Sequence, residues 1–133
     1  MNFTRKASAH WKGSGKEGKG TISTESTVLD KAQYAFGTRF ENGKGTNPEE
    51  LIGAAHAGCY TMQLSFLLNE DDFVADDLDT TAHVTFDDGE ITKIKLVTKG
   101  KVPAISSEKF QEIAKKSQGS LPTFQTDESR DHP

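Results

Sequence analysis

The stretch that decides the fold reads Asn47-Pro48-Glu49-Glu50-Leu51-Ile52-Gly53-Ala54-Ala55-His56-Ala57-Gly58-Cys59-Tyr60-Thr61-Met62. Asn47 is an N-cap residue, Pro48 suits the first helical position, and Glu50 stands three residues after the cap, the spacing of a capping box. Glu49 adds a second carboxylate to the first turn, where the helix dipole favours negative charge. From Pro48 to about Leu68 the only breakers are Gly53 and Gly58, and apolar residues fall on nearly every face: Leu51, Ile52, Ala54, Ala55, Ala57, Tyr60, Met62, Leu64, Phe66 and Leu67. A helix that is apolar all round is a buried one. The segment therefore predicts a central helix, wrapped by sheet or by a second subunit.

Upstream of it, residues 2–12 alternate Phe3, Ala7, Ala9 and Trp11 with polar neighbours, the period of a half-buried strand. Residues 12–20 are a Gly/Lys-rich turn, Thr21–Thr24 and Thr27–Leu29 are β-prone, and Tyr34-Ala35-Phe36 leads through Thr38-Arg39-Phe40 as a short strand and its exit. Downstream, Leu78, Thr80, Ala82, Val84 and Phe86 alternate towards Asp88-Gly89, a strong hairpin turn, and Ile94, Leu96 and Thr98 continue the pattern beyond it. Residues 107–118 read as an amphipathic helix capped by Ser106 or Ser107, with Phe110, Ile113 and Ala114 as its apolar stripe and Gly119 past its end. Residues 120–133 form a polar tail with little to dock on a core, so disorder is expected there.

Composition bounds the function. The 133 residues suit a single domain, taken as 1–119, and exclude two independent ones. Only 33% are hydrophobic, which predicts a thin core that subunit pairing would enlarge. A net charge of −4 offers no global attraction to nucleic acid or to an anionic membrane. No apolar stretch is expected to span a bilayer and no signal-peptide core is seen, so the protein is expected to be cytoplasmic. Cys59 is the single cysteine, which excludes an intrachain disulfide and a multi-cysteine zinc site. The four histidines show no metal spacing.

Four features could carry chemistry. Gly13–Gly20 nearly spells a phosphate-binding loop, but the residues after it favour strand, whereas that motif needs a helix; a plain strand connection is expected. Cys59 is either a small buried hydrophobe or a reactive thiol, and reactivity requires access and a cation to stabilise the thiolate. Arg39 could be that cation; the alternative is a solvated surface charge. Glu50 is accounted for by capping, which leaves Glu49 free. Glu49 lies ten residues before Cys59, about 15 Å along a helix, so it could join the same site only across an antiparallel pairing with a second copy, in a two-fold dimer. His56, three residues before Cys59, is expected to be a hydrogen-bonded structural histidine, since no orienting third group or oxyanion hole is legible beside it.

Taken together, Gly45-Thr46-Asn47-Pro48-Glu49-Glu50-Leu51-Ile52-Gly53-Ala54-Ala55-His56-Ala57-Gly58-Cys59 resembles the central-helix signature of the OsmC/Ohr family. Ala9-His10-Trp11, Gly18-Lys19-Gly20-Thr21, Ser23-Thr24-Glu25-Ser26 and Phe36-Gly37-Thr38-Arg39-Phe40-Glu41 resemble its OsmC branch, and the similarity runs from residue 1 to about 119. The resemblance implies an α+β fold: an intertwined homodimer whose long central helices are enclosed by curved antiparallel sheets. It implies a peroxidase that reduces organic hydroperoxides with no metal or organic cofactor. The catalytic set it implies is Cys59, Arg39 and Glu49. Cys59 attacks the O–O bond and becomes a sulfenic acid; Arg39 stabilises the thiolate and orients the peroxide; Glu49, from the partner chain, holds the Arg fork through a bidentate pair. Phe36, Tyr60, Met62 and Phe66 are candidates for an apolar substrate pocket, with core packing an equal account of them.

One departure bears on mechanism. The family pattern has a second cysteine, in a Cys-Pro context, just after the second helix, and a further strand beyond it; this sequence reads Gly119-Ser120-Leu121-Pro122 and then the polar tail. A lineage that has lost that part and a truncated or frame-disrupted sequence both fit. Without the resolving cysteine, turnover needs an external thiol or dithiol, and excess peroxide should drive Cys59 towards sulfinic acid. The rival readings are a catalytically impaired, redox-sensing or ligand-binding relative, and a structural remnant with an inert Cys59.

Overall fold

The computed structural model describes residues 2–40 and 44–119. The element order is β1 (Ala7–Lys12), β2 (Lys19–Thr24), β3 (Ala32–Tyr34), a 3-10 turn (Phe36–Arg39), α1 (Pro48–Glu70), β4 (Asp77–Asp87), β5 (Glu90–Lys101) and α2 (Ser107–Gly119). This is an α+β chain with a long helix and antiparallel sheets. The described residues pack as two compact units: one holds 2–40, 44–52 and 86–92, the other 53–85 and 93–119.

In the first unit β1, β2 and β3 form an antiparallel sheet in that order. Gly20 on β2 stands opposite Trp11 on one side and Tyr34 on the other. A side chain at Gly20 would collide with both rings, and its absence lets Trp11 and Tyr34 meet with centroids 5.3 Å apart. β1 starts at Ala7, not at residue 2, and Ala7 and Ala9 are exposed, as is Phe3. Alternation marks which side chains share a face of the strand, but only Trp11 of that parity is partly covered, against Tyr34. Thr27–Leu29 is a loop, not a strand: Thr24 Oγ1 accepts the Leu29 N–H at 3.1 Å, Ser26 Oγ that of Val28 at 3.4 Å, and Thr27 has φ 64°. Hydroxyls close to the backbone offer it turns that compete with a ladder. The Gly13–Gly20 stretch leads into β2 and not into a helix, so it lacks the context of a phosphate loop.

The second unit contains the core. Tyr60, Leu64, Leu67 and Leu68 of α1 pack with Ile113 of α2, surrounded by Phe73, Leu78, Leu96, Val102, Ile105, Phe110 and Ala114. Tyr60, Leu64, Leu67, Leu68 and Ile113 are the only buried hydrophobic residues among the described residues, which is the thin core that the composition predicts. The hairpin of β4 and β5 turns at Asp88-Gly89, whose φ angles of 50° and 85° are the pair a type I′ turn requires. Gly53 brings α1 close to the hairpin, since a Cβ there would sit 2.9 Å from Val84 Cγ2. α2 is capped by Ser106, whose Oγ accepts the Lys109 N–H at 3.1 Å. The expected polar tail lies outside the described residues.

α1 corrects two expectations. It is long and apolar enough, by length and composition, to cross a bilayer, although no such stretch was expected; its apolar residues reach the needed length because they cover every face. It is also not buried all round. Ile52, Ala55, Cys59, Met62 and Phe66 are exposed, and their alternating three- and four-residue spacing makes them one continuous stripe along the helix.

Candidate active site

Arg39 is the last residue of the 3-10 turn and Glu49 belongs to the first turn of α1. Three sets of bonds fix that junction. Thr38 Oγ1 donates to the Ala35 carbonyl at 2.7 Å and accepts the Ala35 N–H at 3.0 Å, closing the 3-10 turn. Asn47 Oδ1 caps α1 by accepting the Glu50 N–H at 2.8 Å, while its Nδ2 donates to the Thr38 carbonyl at 3.0 Å. Glu50 does not complete the capping box; its Oε2 accepts from Thr46 Oγ1 at 2.7 Å. One asparagine thus starts the helix and ties it to the turn that carries Arg39.

Within this frame Arg39 Nε donates to Glu49 Oε1 at 2.8 Å. The pair forms within one chain, which corrects the expectation that Glu49 reaches Arg39 from a partner. The chain folds back through residues 44–47, so residues ten apart in sequence meet. The contact is a single Nε bond, not a bidentate fork. Glu49 is the better shielded partner, with its side chain 13% exposed against 31% for Arg39. A charge-assisted bond of this kind contributes roughly 1–2 kcal/mol. The guanidinium also lies over the Phe86 ring, 4.8 Å from its centroid, a cation–π contact. Glu49 on Nε and Phe86 on one face orient the guanidinium, whose two Nη groups make no hydrogen bond among the described residues. Beside it a small cavity of about 90 Å³ is lined by Trp11, Gly15, Tyr34, Ala35, Phe36, Arg39 and Pro48.

Cys59 lies on α1 as a free, exposed thiol. Met62 and Phe66, 64% and 60% exposed, follow it on the same stripe, and Met62 also borders a wide groove with Ala57, Gly58, Thr61, Ser65, Leu78, Asp79 and Thr80. Phe36 is beside Arg39 and meets Phe40 edge-on at 5.5 Å. Tyr60 is not a pocket residue. It is 5% exposed, its hydroxyl donates to the Ala114 carbonyl of α2 at 3.0 Å, and burial raises its pKa above the ordinary 10.0. His56 is half-buried, and none of its polar atoms is both buried and unpaired.

Two features escaped the sequence reading. Phe86 looked like one more inward residue of an alternating strand, and nothing in that pattern marks it as an arginine platform. Asn47 was legible as a cap, but its second bond to Thr38 depends on the fold of the intervening loop.

The chain thus carries an exposed thiol on a long apolar helix in its second unit and, in its first, an arginine held by a glutamate of that helix's first turn. The model of the OsmC-like protein family matches residues 41–126, and the chain belongs to that family. It is 49% identical to peroxiredoxin OsmC of Escherichia coli over 129 residues, covering 94% of this chain and 90% of the relative, and equally similar to the same-named protein of Shigella flexneri. Among solved structures, the organic hydroperoxide resistance protein OhrB of Bacillus subtilis superposes with a TM-score of 0.61 at 26% identity, covering 90% of this chain and 87% of that one. An organic hydroperoxide resistance protein from Elizabethkingia anophelis shares the fold, with a TM-score of 0.67 at 20% identity over 92% of this chain and 86% of that one.

Proposed function

We propose that the protein is a thiol-dependent peroxidase that reduces organic hydroperoxides through Cys59. The observation that carries the reading is the Arg39–Glu49 pair, a guanidinium oriented at 2.8 Å in a chain whose single cysteine is an exposed thiol. The names of the relatives, peroxiredoxin OsmC and organic hydroperoxide resistance protein, support the same substrate class. The Cys59 thiolate attacks the distal peroxide oxygen, the O–O bond breaks, and the products are a sulfenic acid at Cys59 and an alcohol. Arg39 stabilises the thiolate and holds the peroxide oxygens through its Nη groups, while Glu49 keeps the fork in place. Met62, Phe66 and Phe36 contact the apolar part of the substrate.

The sequence has no second cysteine, so an external thiol or dithiol attacks the sulfenic acid directly and regenerates Cys59. A cytoplasmic setting accords with a cysteine kept as a thiol. The exposed stripe Ile52, Met62 and Phe66 supports a homodimer in which a second copy covers the apolar face and leaves Cys59 at the edge of an apolar cleft.

Trapping tests the first step. One equivalent of cumene hydroperoxide followed by dimedone should place a single adduct on Cys59, seen by mass spectrometry, and Cys59→Ser should show none. An unmodified Cys59 would overturn the reading. Sedimentation should give a dimer mass; a monomer would remove the proposed cover of the helix stripe.

A further inference from the structure

The reaction just proposed leaves open how large an organic group the site takes, and the cavity beside Arg39 bears on it. Its volume is about 90 Å³, and Trp11, Tyr34, Phe36 and Pro48 wall it together with Gly15 and the Arg39 side chain. We propose that this cavity encloses the organic group of the hydroperoxide and selects compact groups over bulky ones. The proposal rests on the reading of Arg39 and Cys59 given above and adds the substrate's size to it. A larger group cannot be enclosed there and is left to Met62 and Phe66, the other apolar contacts of that reading.

The walls are carbon, with one cation among them. Gly20 lacks the side chain that would collide with both rings, so Trp11 and Tyr34 close on one another at 5.3 Å. The one polar atom of the indole, Nε1, donates to the carbonyls of Gly13 and Ser14, both at 3.2 Å, so the rest of that ring is apolar surface. Pro48 opens α1 and has no N–H to present. The Arg39 guanidinium is aimed by Glu49 at 2.8 Å and by the Phe86 ring at 4.8 Å. Glu49 also offsets its charge, so the site suits a neutral oxygen that accepts a hydrogen bond better than a free anion. An apolar chamber with a hydrogen-bond donor in its wall matches a short hydrocarbon body that carries oxygen at one end.

The volume sets the size. Benzene occupies an apolar cavity of about 150 Å³, so in proportion about 90 Å³ has room for roughly four carbon atoms. That is a tert-butyl group, and it excludes a cumyl group, which adds a phenyl ring. A single methylene too many or too few in an apolar pocket changes a rate constant by about 10–200-fold. Hydrogen peroxide, with no organic group, gains nothing from the cavity.

The test compares oxidants. Rate constants for Cys59 oxidation by tert-butyl hydroperoxide, cumene hydroperoxide and hydrogen peroxide would be measured by stopped flow in the full chain. Each is divided by the same oxidant's rate constant with a free thiolate, so intrinsic reactivity cancels. In the parent, tert-butyl hydroperoxide should exceed both others by about tenfold or more. A Cβ at Gly15 would meet nothing within 4 Å, so Gly15→Leu fills space at the cavity without a clash. It should lower the ratio of tert-butyl hydroperoxide to hydrogen peroxide by about tenfold. Phe36→Ala removes a wall that is 41% exposed and should raise the ratio of cumene to tert-butyl hydroperoxide by a similar factor. A parent without the preference, or a Gly15→Leu that slows all three oxidants alike, would overturn the proposal. Trp11 is the single tryptophan of the chain and reports occupancy without the reaction: in Cys59→Ser its fluorescence should change saturably with tert-butyl hydroperoxide, and no change would likewise overturn the proposal. A parent that reacts with none of the three while Trp11 still responds contradicts the peroxidase reading and upholds the cavity.

Discussion

The two ends of α1 are held by different physics. Its first turn is set by directional bonds between polar groups: Asn47 to Glu50 and Thr38, Thr46 to Glu50, and Arg39 to Glu49. Its later turns are set by apolar packing, with Leu64 and Leu68 wholly buried beside Ile113. Packing is strong but tolerant of small shifts, whereas hydrogen bonds are individually weak but fix geometry to tenths of an ångström. The helix therefore takes its stability from one end and the aim of its chemical groups from the other. If so, stability and activity should be separable by substitution.

The largest effect is expected at the packed end. Leu64→Ala should destabilise the protein by about 2–5 kcal/mol, read from the denaturant midpoint, and the fraction that remains folded should react normally with peroxide. Arg39→Gln should do the reverse, slowing Cys59 oxidation by about 10²-fold with a smaller loss of stability, about 1–2 kcal/mol. Loss of stability in Arg39→Gln comparable to that of Leu64→Ala would break the comparison. Glu49→Gln should be milder, about tenfold in rate with less than about 1 kcal/mol in stability, because Arg39 keeps its charge and its Phe86 platform and loses only the ionic bond.

Tyr60 sharpens the comparison with the smallest effect. Tyr60→Phe removes the bond to the Ala114 carbonyl, which should cost about 1 kcal/mol at neutral pH. The pH dependence has a definite sign. Burial raises the Tyr60 pKa in the folded state above the ordinary 10.0. The unfolded chain thus loses this proton first as pH rises, and ionisation favours unfolding. The contribution is complete below pH 10.0 and falls away as pH climbs from there through the raised value. Tyr60→Phe should flatten that part of the alkaline decline, in unfolding curves recorded on either side of it.

The same division explains what was legible in the sequence. Local rules were enough for the Asn47 cap and the Asp88-Gly89 turn, and narrowed the cap of α2 to Ser106 or Ser107, because each is written in a few adjacent residues. The resemblance of Gly45–Cys59 and of Phe36–Glu41 to the family's stretches pointed to Cys59, Glu49 and Arg39. What stayed hidden depends on distant contacts. An apolar-all-round helix has no period, so the sequence could not say that Tyr60 turns to the core while Met62 and Phe66 face out. Glu49 looked too far from Cys59 to act without a partner, yet the return of the chain at 44–47 gives it Arg39 directly. The loop at 24–31 has β-prone residues, but Thr24 and Ser26 hydroxyls bend it away from strand.

The central claim is that Cys59 performs repeated peroxide reduction although the sequence has no second cysteine. The most direct measurement is consumption of cumene hydroperoxide by the purified protein with a dithiol reductant, with Cys59→Ser as control. The account predicts sustained turnover of many equivalents per chain, lost entirely in Cys59→Ser. Consumption that stops at about one equivalent, or that persists without Cys59, would contradict it.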